Sequence, residues 1–146
     1  MKTAKFNFLS NFLLGATAVV LLLSVTSCAK KIAFQKSTVV PAARGQVTVK
    51  KDDNKNYVVK IKINGLAEVN RLEPSRNSYV VWMETDDTQV KNIGRIKSDS
   101  NFMSSNLKAT FETVTAVKPE KIFITAEDNP DTQSPSSQLV LETNKF

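Results

Sequence analysis

Tyr57-Val58-Val59-Lys60-Ile61-Lys62-Ile63-Asn64 sets apolar side chains at 57, 59, 61 and 63 against Lys60, Lys62 and Asn64 between them. A period of two puts the first set on one face of a strand and the second on the other, the pattern of a half-buried β-strand. Just upstream, Asp52-Asp53-Asn54-Lys55-Asn56 is turn chemistry, since Asp and Asn side chains bond their own backbone. Before that turn, Val47 and Val49 alternate with Thr48 and Lys50. Gly65 closes the strand, and a loop from Leu66 to Asn77 carries Pro74. Tyr79-Val80-Val81-Trp82-Met83 follows, apolar at both parities, as a central strand covered on both faces should be.

The same logic runs to the C-terminus. Thr85-Asp86-Asp87-Thr88 turns the chain into a strand from Val90 to Lys97, and Asp99 to Ser105 is polar and loop-like. Leu107, Ala109 and Phe111 alternate with Lys108, Thr110 and Glu112. Thr110, Thr113, Val114 and Thr115 are poor helix formers, which rules against a helix over Asn106 to Val117. Ile122, Ile124 and Ala126 alternate with Phe123 and Thr125; the loop Glu127 to Ser137 holds Pro130 and Pro135, and Leu139-Val140-Leu141 closes the domain. Ser37 to Val40 is a first strand at most, because Pro41 cannot donate to a ladder. About seven strands between turn signals predict an all-β, two-sheet sandwich of the immunoglobulin/fibronectin type III kind. Ile61, Ile63, Trp82, Phe111, Ile122 and Ile124 are its expected inward residues.

The first 27 residues read differently. Lys2 and Lys5 precede an apolar run from Phe12 to Val25, too short for the roughly 20 residues of a spanning helix. A charged start, a short apolar core and then small residues make a secretory signal. It ends Val25-Thr26-Ser27-Cys28, which closely resembles the lipobox of bacterial lipoproteins. The resemblance implies cleavage between Ser27 and Cys28 and acylation (palmitate-like chains) of Cys28, the chain's one cysteine. Several acyl chains anchor a protein stably where one does not. Ala29, in place of the Asp that retains lipoproteins at the inner membrane, implies an outer-membrane destination. Lys30 and Lys31, in place of the acidic stretch of some surface lipoproteins, imply the periplasmic face and add contacts to anionic headgroups. The expected organisation is a signal peptide at 1–27, a lipidated Cys with tether and first strand at 28–44, and the sandwich at 45–146.

Tyr79-Val-Val-Trp82, Gly94, Leu107 to Phe111, Ile122 to Glu127, Pro130, Pro135 and Val140-Leu141 together resemble the extracytoplasmic C-terminal domain of anti-sigma-K factors. That resemblance implies an immunoglobulin-like sandwich and, by analogy, a sensory role. The cytoplasmic sigma-binding segment and spanning helix of those regulators have no counterpart here, so sigma-factor binding is not implied.

Composition narrows the chemistry. The 146 residues contain no His, which excludes His-based acid–base catalysis and His-ligated zinc, and one thiol makes no internal disulfide. Of the 20 Lys and Arg, Lys2 and Lys5 fall in the leader, so 18 basic residues face 14 acidic ones after it. That small excess is spread along alternating positions such as Lys60 and Lys62, whereas a nucleic-acid binder concentrates it among aromatics; no nucleic-acid partner is expected. Paired carboxylates in turns (Asp52, Asp53, Asp86 and Asp87) form a weak calcium candidate, and no cofactor is expected. Glu127, Asp128 and Asp131 support an alternative reading as a small carboxylate enzyme, although exposed turn carboxylates lack the apolar setting a protonated acid needs. The primary expectation is a non-catalytic envelope module holding a protein or glycan partner. Its candidate tip joins Arg71 and Arg76 of one long loop to Glu127, Asp128 and Asp131 of the other.

Replacing Cys28 by Ser should abolish acylation and leave the precursor uncut. Mass spectrometry of the membrane fraction checks this; a Cys28→Ser chain that matures at the same site and stays membrane-bound refutes the lipobox reading.

Overall fold

The computed structural model describes residues 29–98 and 107–146; the leader, Cys28 and the polar stretch from Asp99 to Ser105 lie outside the described residues. Eight strands are present: β1 (Lys30–Ala33), β2 (Arg44–Lys51), β3 (Tyr57–Asn64), β4 (Ser78–Glu84), β5 (Val90–Ser98), β6 (Lys108–Thr115), β7 (Lys121–Glu127) and β8 (Leu139–Glu142). They form two antiparallel sheets, β1-β2-β3-β6 and β5-β4-β7-β8, packed as an immunoglobulin/fibronectin type III-like sandwich. The sheets join where the end of β5 pairs with β6, Lys97 opposite Thr110 and Ser98 opposite Ala109.

The eighth strand is the first one. It falls on Lys30–Ala33, not on Ser37 to Val40, so the sandwich begins at residue 30 and the expected tether shrinks to Ala29. Local bonding explains the shift: the Ser37 hydroxyl donates to the Val140 carbonyl (2.5 Å) and accepts from the Val40 N–H (2.9 Å), an alternative to ladder pairing. After β1 the chain leaves β2 for β8. Phe34 N–H donates to the Gly45 carbonyl (3.0 Å) and Gln35 N–H to that of Glu142 (2.8 Å). Residues 34 to 37 therefore stitch one sheet edge to the other, on the side opposite the β5–β6 joint.

Alternation builds the core. Val47, Val59, Ile61 and Ile63 project inward from one sheet to meet Tyr79, Val81, Met83, Ile122 and Ile124 from the other, all essentially inaccessible to water. Phe111 lies opposite Ile61 and is half-buried against this core. Its ring also explains Gly94, which sits at φ +133° where a Cβ would stand 2.9 Å from Phe111 Cε2.

Trp82 corrects the sequence reading. It is fully buried but points the other way, because Tyr79, Val81 and Met83 fill the inward positions of β4 and leave 80 and 82 to the outer face.

The Lys residues require a second correction. Register places Lys31, Arg44, Lys50, Lys60, Lys62 and Lys108 all on the outer face of the first sheet, with Glu112 as the acidic residue among them. Charge that is spread along the sequence is gathered on one surface by strand pairing.

Tyr79 ties β4 to the loop that precedes it, its hydroxyl donating to the Ala67 carbonyl at 2.9 Å. Burial pushes its pKa up to about 12 from 10.0. Between those values the unfolded chain has lost the phenolic proton and the folded chain still holds it. The unfolded state then binds fewer protons, so stability falls as pH rises from 10 towards 12. Tyr79→Phe should flatten that alkaline limb in denaturant titrations; identical limbs in both proteins would contradict the assignment.

Candidate functional site

Three connections meet at the end of the sandwich where β3 finishes and β4 starts: residues 34–43, 65–77 and 128–138. The two long loops meet there as the sequence reading anticipated. Asn77 N–H donates to the Glu127 carbonyl (3.0 Å), Arg76 Nε to Gln138 Oε1 (2.9 Å) and Gln138 Nε2 to the Pro74 carbonyl (3.0 Å). Arg76 also pairs with Asp128. Each bond joins residues far apart in sequence, so the tip is fixed by both loops together.

The charged cluster expected there assembles only in part. Arg76 and Asp128 meet, but Arg71 turns back to Glu68, the residue preceding its own short 3₁₀ segment Val69–Arg71 (3.2 Å). Asp131, in the 128–138 loop, is exposed beside Lys91, Asn92 and Gln133 and pairs with neither arginine among the described residues. Glu127 is withdrawn from the surface, 6% exposed, and is structural. Its Oε1 accepts from the Thr125 hydroxyl and from the Ser136 N–H (2.8 Å), while Thr125 Oγ1 accepts from Trp82 Nε1 (2.7 Å).

That chain of bonds shows what the 128–138 loop does. It folds back over the outer face of β4 and β5, where the Asn92 amide donates to the carbonyls of Pro130 (2.9 Å) and Thr132 (3.0 Å). Beneath this strap, Trp82 stacks on Phe123 with ring centroids 6.2 Å apart. Among the described residues, no buried side-chain polar atom lacks a partner. Glu127 is thus buried and held by two hydrogen-bond donors, in the packing of this face.

Between the 34–43 and 65–77 connections lies a groove of about 610 Å³ that sequence reasoning missed, lined by Val39, Pro41, Arg71, Leu72, Glu73 and Leu107 among others. Val39 and Leu107 are more than a third exposed at its rim. One signal was in the sequence: Val39-Val40-Pro41 is an apolar run ending in a ladder-breaking proline.

At the opposite end lie the turns 52–56 and 85–89. Asp52 accepts from the Asn56 N–H (2.8 Å) and Asp86 from the Asp87 N–H (3.0 Å). The Thr85 hydroxyl bonded to Asp87 holds that carboxyl below its usual pKa. These carboxylates do not converge: the described residues contain no group of three or more acidic side chains able to hold a metal.

Comparison with protein-family models, with curated proteins and with solved structures gives no match to this chain.

Trp82→Ala should cost about 3–5 kcal/mol through the cavity it leaves and the loss of the Thr125 contact. Denaturant melts measure it. A loss under about 1 kcal/mol, the usual range for surface positions, would show that the strap does not seal this face.

Proposed function

We propose that the chain is a lipid-anchored, non-catalytic module of the bacterial envelope that binds or scaffolds a protein or glycan partner at its tip. The leader and lipobox-like Cys28 support export and anchoring, at the outer membrane on its periplasmic side. One observation carries the binding role: a partly apolar groove set among loops that are cross-bonded before any partner arrives. Loops already fixed lose little entropy on binding, and an apolar floor with one Arg and one Glu at its margin suits a short segment with both apolar and polar groups.

Direction along the strands supports the same reading. Lys30 pairs with Val49 near the 52–56 turn, so the chain enters at the end remote from the groove. The eight residues of β3 separate the two ends by about 26 Å. The anchor therefore leaves the groove uncovered.

A photo-crosslinking amino acid at Val39 in whole cells should capture a discrete partner, and Arg71→Glu should weaken that capture roughly tenfold, the loss typical of one significant interface residue, without changing the melting temperature. Adducts that form from Val114 on β6 but not from Val39 would overturn the tip as the binding surface.

A further inference from the structure

We infer that the outer face of the β1-β2-β3-β6 sheet lies against an anionic phospholipid surface. The inference rests on the anchor reading above and adds the orientation of the domain on its membrane.

Register alone assembles the surface. Lys31 on β1 shares the face with Thr48 on β2, which lies opposite Lys60 on β3, which lies opposite Glu112 on β6. Lys50, Lys62 and Lys108 complete it, all exposed. Lys60 is paired with Glu112 at 2.9 Å, and Arg44 bends back to the carbonyls of Pro41 and Ala43, both at 2.7 Å. Lys31, Lys50, Lys62 and Lys108 have no acidic partner within ion-pair distance among the described residues. Six basic groups and one acidic group give the face a net charge of +5, while the whole chain after the leader carries 18 basic and 14 acidic residues. The rest of the domain is therefore close to neutral.

The chemistry of the face selects its occupant. Among the described residues no aromatic side chain stands on it, because Tyr57 and Phe111 take inward positions. Stacking on bases or on sugar rings is thus absent, and the face presents five ammonium groups and the Arg44 guanidinium among neutral polar side chains, with Val58 and Val114 paired at its β3–β6 end. No two of these basic groups stand directly opposite on neighbouring strands: Lys60 and Lys62 are about 7 Å apart along β3, and Lys50 with Lys60 and Lys62 with Lys108 are diagonal neighbours at about 7–8 Å. Lysine is a compact, freely rotating point charge suited to headgroup phosphates that have no fixed geometry.

Position brings this face close to the membrane once Cys28 is anchored. Two residues, Ala29 and Lys30, separate Cys28 from Lys31, a reach of about 10 Å over three Cα–Cα steps at full extension. That is about one Debye length at physiological salt, so β1 starts inside the field of an anionic leaflet. β2, β3 and β6 extend from β1 in the same sheet, and tilting the domain onto this face brings every basic group into that field. The tip groove then opens alongside the membrane.

The test uses the full chain as its cell matures it, extracted in detergent and reconstituted into vesicles of phosphatidylcholine alone or with added phosphatidylglycerol. Amine acylation is then followed by mass spectrometry at each lysine. Each basic group near an anionic surface is worth about fivefold in contact population, so Lys62 and Lys108 should react at least about fivefold more slowly in the anionic vesicles. High salt should remove the difference, and the exposed pair of substitutions Lys62→Glu and Lys108→Glu should remove the protection of Lys31 and Lys50. Equal rates in both vesicles overturn the inference. So does protection of Lys55 and Lys118 in the opposite turns, which would stand the domain on its end. Protection conferred in neutral vesicles by added heparin but absent with phosphatidylglycerol would assign the face to a soluble polyanion instead. Flotation with the neutral vesicles reads the anchor separately. A chain that fails to float there loses its anchor reading, and its face is still scored by acylation with anionic vesicles added.

Discussion

A strand with apolar side chains on both faces must be covered twice, and β4 imposes that requirement on the whole domain. Its inner side chains are met by the opposite sheet, as in any sandwich. Its outer ones, Val80 and Trp82, project where a two-layer protein ordinarily meets water. The 128–138 strap supplies the missing cover, fixed to β5 through Asn92 and to the Trp82–Thr125–Glu127 chain through Ser136. A carboxylate buried with two donors belongs to this roof. Long loops usually carry function because they are exposed; here one half of a loop is part of the packing and the other half belongs to the tip.

How far the sequence discloses this follows from the range of each interaction. β3 is legible because period-two alternation is a local property, and β4 because an unbroken apolar run needs no partner to be seen. β1 is not legible: its four residues hold a single inward apolar side chain, Ile32, between two lysines and an alanine. Only its pairing with β2 makes it a strand. Trp82 fails for a subtler reason. Its parity is opposite to that of Tyr79, Val81 and Met83, so its direction was readable, but nothing local reveals what lies above the outer face.

The tip shows the same limit. Arg76 and Asp128 come together because Asn77 and Glu127 are joined through the backbone next door. Arg71, five residues earlier, has Glu68 one turn of the 3₁₀ segment away and takes that local partner. Opposite charges on facing loops do not by themselves meet; the nearest carboxylate in sequence wins where the backbone brings it within reach. The groove was harder still to anticipate, since its lining comes from separate connections that share no motif.

Charge distribution carries the point furthest. Read along the chain, lysines at alternate positions look like an ordinary solvated strand face, and each strand alone is one. Antiparallel pairing stacks like on like: the outward positions of β1, β2, β3 and β6 fall on one surface because their inward positions share one core. Burial of Val47, Val59, Ile61, Ile63 and Ala109 therefore fixes where the basic groups go, although none of those side chains is charged. A one-residue slip of β3 against β2 would turn the isoleucines outward and the lysines inward, and the core forbids it. The hydrophobic register thus sets the electrostatic face. Lys60 and Glu112, directly opposite each other, are the one place where that face neutralises itself across a strand pair. Around that pair the core beneath keeps the other basic groups opposite neutral residues such as Thr48, Gln46, Asn64 and Thr110, so the face is positive without any two like charges standing directly opposite.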